Sequence, residues 1–194
     1  SDNRFIIFDM TGRWVRQVTV DSNQLGTNST QMAYSSGWLY IRNPSGTSAA
    51  GNDVIHRVSP VDGSATAVTV DSAKPLLDGQ AWAYGSLFST PDGRLGIVGV
   101  PAANGDTTVR LYTLANGGQQ MVWDRDYTVN IGAGWWTDNH GATSDGRYLY
   151  LLRHVGGGDD EYKVIDLFTG KMALDGTPSA FNLYKLGVDN RTHL

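Results

Sequence analysis

The sequence predicts an all-β protein built from a repeated unit of about 50 residues. Three observations carry this. Helical periodicity is nearly absent, and short runs rich in β-branched and aromatic residues take its place: RFIIF, WVRQVTV, GWLYIR, DVIHRV, RLGIVGV, TVRLYTL, QQMVW, RYLYLLR and YKVIDLF. The runs are separated by Gly-containing turns, which supply the positive φ that tight hairpins require. The turns themselves are periodic.

One class of turn precedes an aromatic or aliphatic run: Ser36-Gly37, Asp92-Gly93 and Asp145-Gly146. A second class splits a strand pair: Thr11-Gly12, Asp62-Gly63, Gly117-Gly118 and Thr169-Gly170. Both classes recur at roughly 51–56 residues, and VTVDS stands at 18–22 and again at 68–72. Four strands in a unit of that length are the pattern of a β-propeller blade.

The whole chain, 1–194, reads as a single propeller-like domain. The pattern places one unit near 29–71, a second near 80–124 and a third near 134–175. A strand pair precedes them within 1–20, and 176–194 follow. Shifted by one repeat, Asp175 falls on Asp124, Asp189 on Asp138 and Asn190 on Asn139. Leu194 then falls on Thr143, and Ser1-Asp2-Asn3-Arg4 continues where Ser144-Asp145-Gly146-Arg147 would stand. The expectation is a propeller of about four blades, three complete and one assembled from both termini. The alternative is an open arc of a larger propeller, completed by another chain or by more of the same one. RFIIFD reads equally well as the second or the third strand of its unit.

The strings TPDGRLGIVGV and TSDGRYLYLLRH resemble the blade hairpins of lactonase-type and TolB-like propellers. YKVIDLFTGKMALDG is similar to the outer strand pair of quinoprotein-type blades. The resemblance touches most of the chain and concerns architecture. The aromatic that ends a quinoprotein blade is found in MVWD, at Trp123, and is lacking in MALD, so the resemblance implies no quinone cofactor.

Composition narrows the function classes. With no Cys, disulfides, thiolate metal sites and Cys nucleophiles are excluded. A net charge of −4 gives no electrostatic footprint for nucleic acid, and no apolar run approaches the roughly 20 residues of a membrane helix. No cofactor or metal motif is present. His56, His140, His154 and His193 include no pair at ligand spacing on one element. Asp159, Asp160 and Glu161 offer carboxylates, but their spacing matches no calcium loop, and a solvated loop is the simpler reading.

The stretch GAGWWTDNHGAT, 132–143, is the candidate ligand site. Trp135 and Trp136 suit stacking on a sugar ring or a partner's side chain, and Asp138, Asn139 and His140 suit hydrogen bonds to hydroxyls. The competing reading makes one Trp a filler between units and gives Asp138 and Asn139 to the turn. Three polar loops, 43–53, 101–108 and 153–163, occupy corresponding places in the three units and should line one face. Trp14, Trp38, Trp82 and Trp123 fall at or beside strands and are expected mostly in the core.

The function expected is that of a non-catalytic binding or assembly module. It recognises a protein or a glycan through its loop faces, with self-association through the terminal strands. The alternatives are a lactonase-like propeller hydrolase and a structural subunit of a larger assembly such as a virion or surface complex. Low charge and abundant Gly, Ser, Thr and Asn favour a secreted, cell-surface or virion setting over a cytoplasmic one.

Overall fold

The computed structural model describes residues 3–9, 11–20, 31–43, 54–77, 86–99, 101–133, 140–153 and 161–176. The chain is all-β. Among the described residues there is no α-helix, only a short 3-10 turn at Asn116–Gly118, and so no helix long and apolar enough to cross a membrane.

Four separate sheets form in chain order. The first pairs β1 (Asn3–Phe8) with β2 (Trp14–Val20). The second is an antiparallel meander of β3 (Gln31–Ser35), β4 (Trp38–Asn43), β5 (Val54–Val58) and β6 (Ala65–Ala67). The third contains β8 (Ser86–Ser89), β9 (Leu95–Val98), β10 (Asp106–Ala115) and β11 (Gln120–Asn130). A short fifth strand, β7 (Thr69–Val70), lies parallel to β11 at its edge. The fourth sheet is the meander of β12 (His140–Ser144), β13 (Tyr148–Arg153), β14 (Glu161–Asp166) and β15 (Lys171–Gly176).

Both periodic turn classes sit at hairpins. Gly37, Gly93 and Gly146 turn the chain between the first and second strands of their sheets, and Gly12, Gly63, Gly118 and Gly170 between the last two. All seven have positive φ, which a residue with a Cβ adopts only under strain. The position of β7 is a tertiary effect. Thr69-Val70 lies inside the stretch read as the first unit, yet it hydrogen-bonds to the third sheet. The linker that follows is drawn there because the Tyr112 hydroxyl donates to the carbonyls of Lys74 and Pro75 at 3.1 and 3.0 Å. Arg42 of the second sheet donates to the Leu77 carbonyl at 2.9 Å from the other side.

Successive sheets pack face to face through three apolar clusters. Val20 with Phe5 meets Ile41 and Val58 between the first and second sheets. Tyr40 and Ile55 meet Leu95, Ile97, Tyr112 and Met121 between the second and third. Val109, Leu111 and Val129 meet Leu149, Leu151 and Ile165 between the third and fourth. The second and third sheets therefore bury both faces, which explains runs such as LGIV that are apolar without alternation.

The strand pair β1–β2 corresponds to the third and fourth strands of the other sheets, which resolves the two readings of RFIIFD. A β-bulge falls between Ile7 and Phe8, as one falls between Leu111 and Tyr112 and between Val164 and Ile165. The Asp9 carbonyl accepts from the Gly12 amide, as Ser59 accepts from Gly63 and Asp166 from Gly170. The docking matches too. The Gly63 turn lies on Val18 and Thr19 of β2, as the Gly170 turn lies on Tyr127 of β11.

Candidate functional site

Cross-strand register brings one set of strand ends together. Arg42 pairs with Gln31 and Ile55, Val98 with Ser86 and Val109, and Arg153 with His140 and Glu161. The connections from second to third strands, 44–53, 99–105 and 154–160, leave from this end, and the strands β3, β8 and β12 begin there. Of the candidate ligand residues, Trp135, Trp136, Asp138 and Asn139 lie outside the described residues. His140 opens β12 opposite Arg153, so its backbone stands at this end. Asp159, Asp160, His154 and His193 also lie outside the described residues, and Glu161 opens β14.

The stem of the Trp135-Trp136 loop is built in detail. Ile131 is buried in the cluster between the third and fourth sheets, and its amide donates to the Gly105 carbonyl at 2.9 Å. Beside it, the Asn130 side-chain amide donates to the Asn104 carbonyl and to the Asp106 carboxylate, each at 2.9 Å. The Asn130 side-chain oxygen accepts from the Gly132 amide at 3.1 Å. Asn104 and Asp106 close the ring, with Asn104 Nδ2 donating to Asp106 Oδ2 at 2.7 Å. Gly105 has φ +88°, and a Cβ there would stand 2.6 Å from the Ala133 nitrogen. The loop 101–106 thus clamps 130–133 through short polar groups and one close backbone approach. The sequence reading put 101–108 among the loops of one face and took 132–143 as the candidate ligand site, but did not single out Asn104, Asp106 or Asn130. The Asn-Gly-Asp turn was their available signal.

A second polar cluster lies on the flank of the third sheet. Arg110 grips Asp126 with two nitrogens at 2.8 and 2.9 Å, Lys74 Nζ stands 3.2 Å from the same carboxylate, and Trp123 Nε1 donates to it at 3.0 Å. These donors, Arg110 first, hold the Asp126 carboxyl far below the usual carboxylate range against the opposing effect of burial. Burial pushes the Tyr112 hydroxyl up to about 12. Lys74 also sits 5.0 Å from the centre of the Trp123 ring. All of the carboxylate's acceptor capacity goes to fixed donors of the chain itself, so this cluster acts as a clamp on the 71–77 linker. No sequence motif announced it, because its members come from three separate elements.

Two tryptophans expected in the core are exposed. Trp14 is 60% exposed and Trp123 39%. Both stand directly across from the second residue of a bulge, Phe8 and Tyr112, Trp14 at the start of β2 and Trp123 within β11. Trp38 is partly buried against the cluster between the second and third sheets, with the Arg57 guanidinium 3.7 Å from its ring centre. Trp82 lies outside the described residues. His56, midway along β5, is half-buried, and burial lowers its pKa. Among the described residues no three His, Asp or Glu side chains converge as metal ligands.

No protein-family model matches the chain, and no curated protein does. Among solved structures it is similar to Kuenenia stuttgartiensis hydrazine synthase, at 14% sequence identity and a TM-score of 0.42. The match covers 87% of this chain, which spans 41% of the length of that one.

Proposed function

We propose that the protein is a non-catalytic β-propeller-like binding module that recognises a protein or glycan through its loop end. The inner strands support the propeller reading, since β3 runs beside β8 and β8 beside β12, as successive blades around an axis do. The observation that carries the binding reading is the clamp on the stem of the 132–143 loop. Asn130, held by Asn104 and Asp106, orders the chain up to Gly132 and launches the Trp135-Trp136 segment from the end where the other long connections gather. A rigid stem lowers the ordering cost of presenting two aromatic platforms to a ligand. Trp135 and Trp136 then stack on an apolar face of the ligand, and Asp138, Asn139 and His140 take hydrogen bonds from it or give them. Such a module belongs on a secreted, cell-surface or virion component.

The test is a glycan array and a peptide display screen on the wild type, followed by Trp135→Ala and Trp136→Ala. Loss of at least tenfold in affinity with an unchanged melting curve supports the reading. Unfolding of both variants, or full retention of binding, removes it.

A further inference from the structure

The dipeptide Asn-Gly stands at both ends of β10, as Asn104-Gly105 just before it and Asn116-Gly117 just after it. Asn-Gly is chemically labile as well as turn-forming. The backbone nitrogen of the glycine can attack Cγ of the asparagine, because glycine brings no Cβ to block the approach. The attack forms an N–Cγ bond and expels the side-chain nitrogen as ammonia. Water then opens the resulting succinimide at one of its two carbonyls, leaving aspartate or isoaspartate. The surroundings of each dipeptide decide whether its groups are free to react.

At Asn104-Gly105 the reacting groups are held. Asn104 Nδ2 donates to Asp106 Oδ2 at 2.7 Å, and Asn104 Oδ1 accepts from the Asp106 amide at 3.1 Å. The Gly105 amide, which would be the nucleophile, donates to the Ala102 carbonyl at 2.8 Å. The backbone of Gly132 and Ala133 walls this glycine, with a built Cβ only 2.6 Å from the Ala133 nitrogen. Asn116-Gly117 lies in the open. Both residues are exposed, and a Cβ on Gly117 would meet nothing within 4 Å. Asn116 has φ +51°, a left-handed backbone that favours glycine, and its side-chain amide donates to Gln120 Oε1 at 2.8 Å on the surface.

We propose that Asn116-Gly117 is a self-modification site, which deamidates in the folded chain to isoaspartate and aspartate while Asn104-Gly105 stays intact. Its place in the fold gives the reaction a consequence. Arg57 Nη1 donates to the Gly117 carbonyl and the Tyr40 hydroxyl to the Gly118 carbonyl at 3.1 Å, so this turn is where the second sheet holds the outer end of the third. Isoaspartate routes the main chain through the side-chain methylene, adding one carbon to the backbone just ahead of both carbonyls. The added atom moves the two acceptors off donors that are fixed on β4 and β5, and the junction loosens. Aspartate adds a charge one residue from the carbonyl that Arg57 holds and leaves the backbone path unchanged. The reaction is thus a slow, one-way switch on the contact between the second and third sheets. It does not rest on the loop-end reading, since it uses none of the residues of 132–143.

Ageing the 194-residue chain in mildly alkaline buffer tests it, with peptide mass mapping at intervals and an enzymatic assay for isoaspartate. The expected result is conversion at Asn116 at least about fivefold faster than at Asn104, with a lower melting temperature in the aged protein than in the fresh one. In urea, where Asn104 loses its wall, the two rates should converge. Asn116→Gly keeps a residue that accepts positive φ and removes the reacting side chain, so its melting temperature should not fall on ageing. Freshly made Asn116→Asp carries the charge without the extra backbone atom and should melt near the fresh wild type. Conversion at Asn104 as fast as at Asn116 in the folded chain overturns the proposal. So does a folded Asn116 that stays intact while it reacts in urea. An aged wild type that melts with the fresh one, or an aged Asn116→Gly that loses as much as the wild type, overturns the switch.

Discussion

Tyr112 and Phe8 occupy the same place in two sheets and live in different surroundings. Each is the second residue of a bulge and stands across from a tryptophan. Tyr112 is fully covered by the second sheet and has its hydroxyl bonded to two linker carbonyls, while Phe8 faces outward. The local code is shared, and the difference comes from what lies on the other side. An aromatic there is buried where another sheet packs on it, as at Tyr112, and exposed at Phe8.

The sharpest way to break this comparison is to truncate both. Tyr112→Ala should destabilise the chain by about 3–5 kcal/mol, the range for emptying a buried aromatic site. Phe8→Ala, measured on the same chain by urea unfolding at low concentration, should cost no more than about 1 kcal/mol, because little buried area is lost. Equal costs would mean that the first-sheet face is covered within a single chain.

A smaller effect tests the Asp126 clamp. Asp126→Asn should lose about 1.5–3 kcal/mol at neutral pH, the range for hydrogen bonds to a charged group. The pH dependence has a definite sign. The folded carboxyl is held below its ordinary value of 3.8, so its stabilisation is present above that value and fades as pH falls through the folded one. The gap between wild type and variant should therefore narrow below about pH 4 in acid-unfolding curves. A gap that stays constant to pH 2 would show that the charge plays no part.

A smaller effect than that of Asp126→Asn is expected for Tyr40→Phe. It removes the hydroxyl that joins the second sheet to the outer turn of the third, at a cost of about 0.5–1.5 kcal/mol in thermal or urea unfolding. Gly118 next to it sharpens the point. Its φ is +88° and a Cβ there would collide with the Tyr40 hydroxyl, so Gly118→Ala should cost more than Tyr40→Phe does. The reverse order would mean that the turn docks less tightly than its geometry indicates.

Much of the fold was legible because it is written in local chemistry. Gly12, Gly63, Gly118 and Gly170 mark hairpins by a backbone conformation that other residues avoid, and the runs between them carry β-branched and aromatic residues. The loop end was legible for the same reason, since long polar connections occur at matching places in the repeat. The exposure of Trp14 and Trp123 was not, because a tryptophan beside a strand looks alike whether a neighbouring sheet covers it or not. Nor was the clamp of Arg110, Lys74 and Trp123 on Asp126, whose members meet only once β7 has crossed to the third sheet. The candidate ligand residues were chosen from their chemistry, and the structure adds the anchored stem from which they depart.

By itself the sequence determined the all-β class, the repeat and the hairpin turns, since φ preference and side-chain shape act within a few residues. Tertiary structure alone decided that β1 and β2 form an outer pair, that Thr69-Val70 joins the next sheet and that Phe8 is exposed while Tyr112 is not. Those outcomes depend on which surface comes to lie about 10 Å away across a sheet-on-sheet junction, and no residue encodes its distant neighbour.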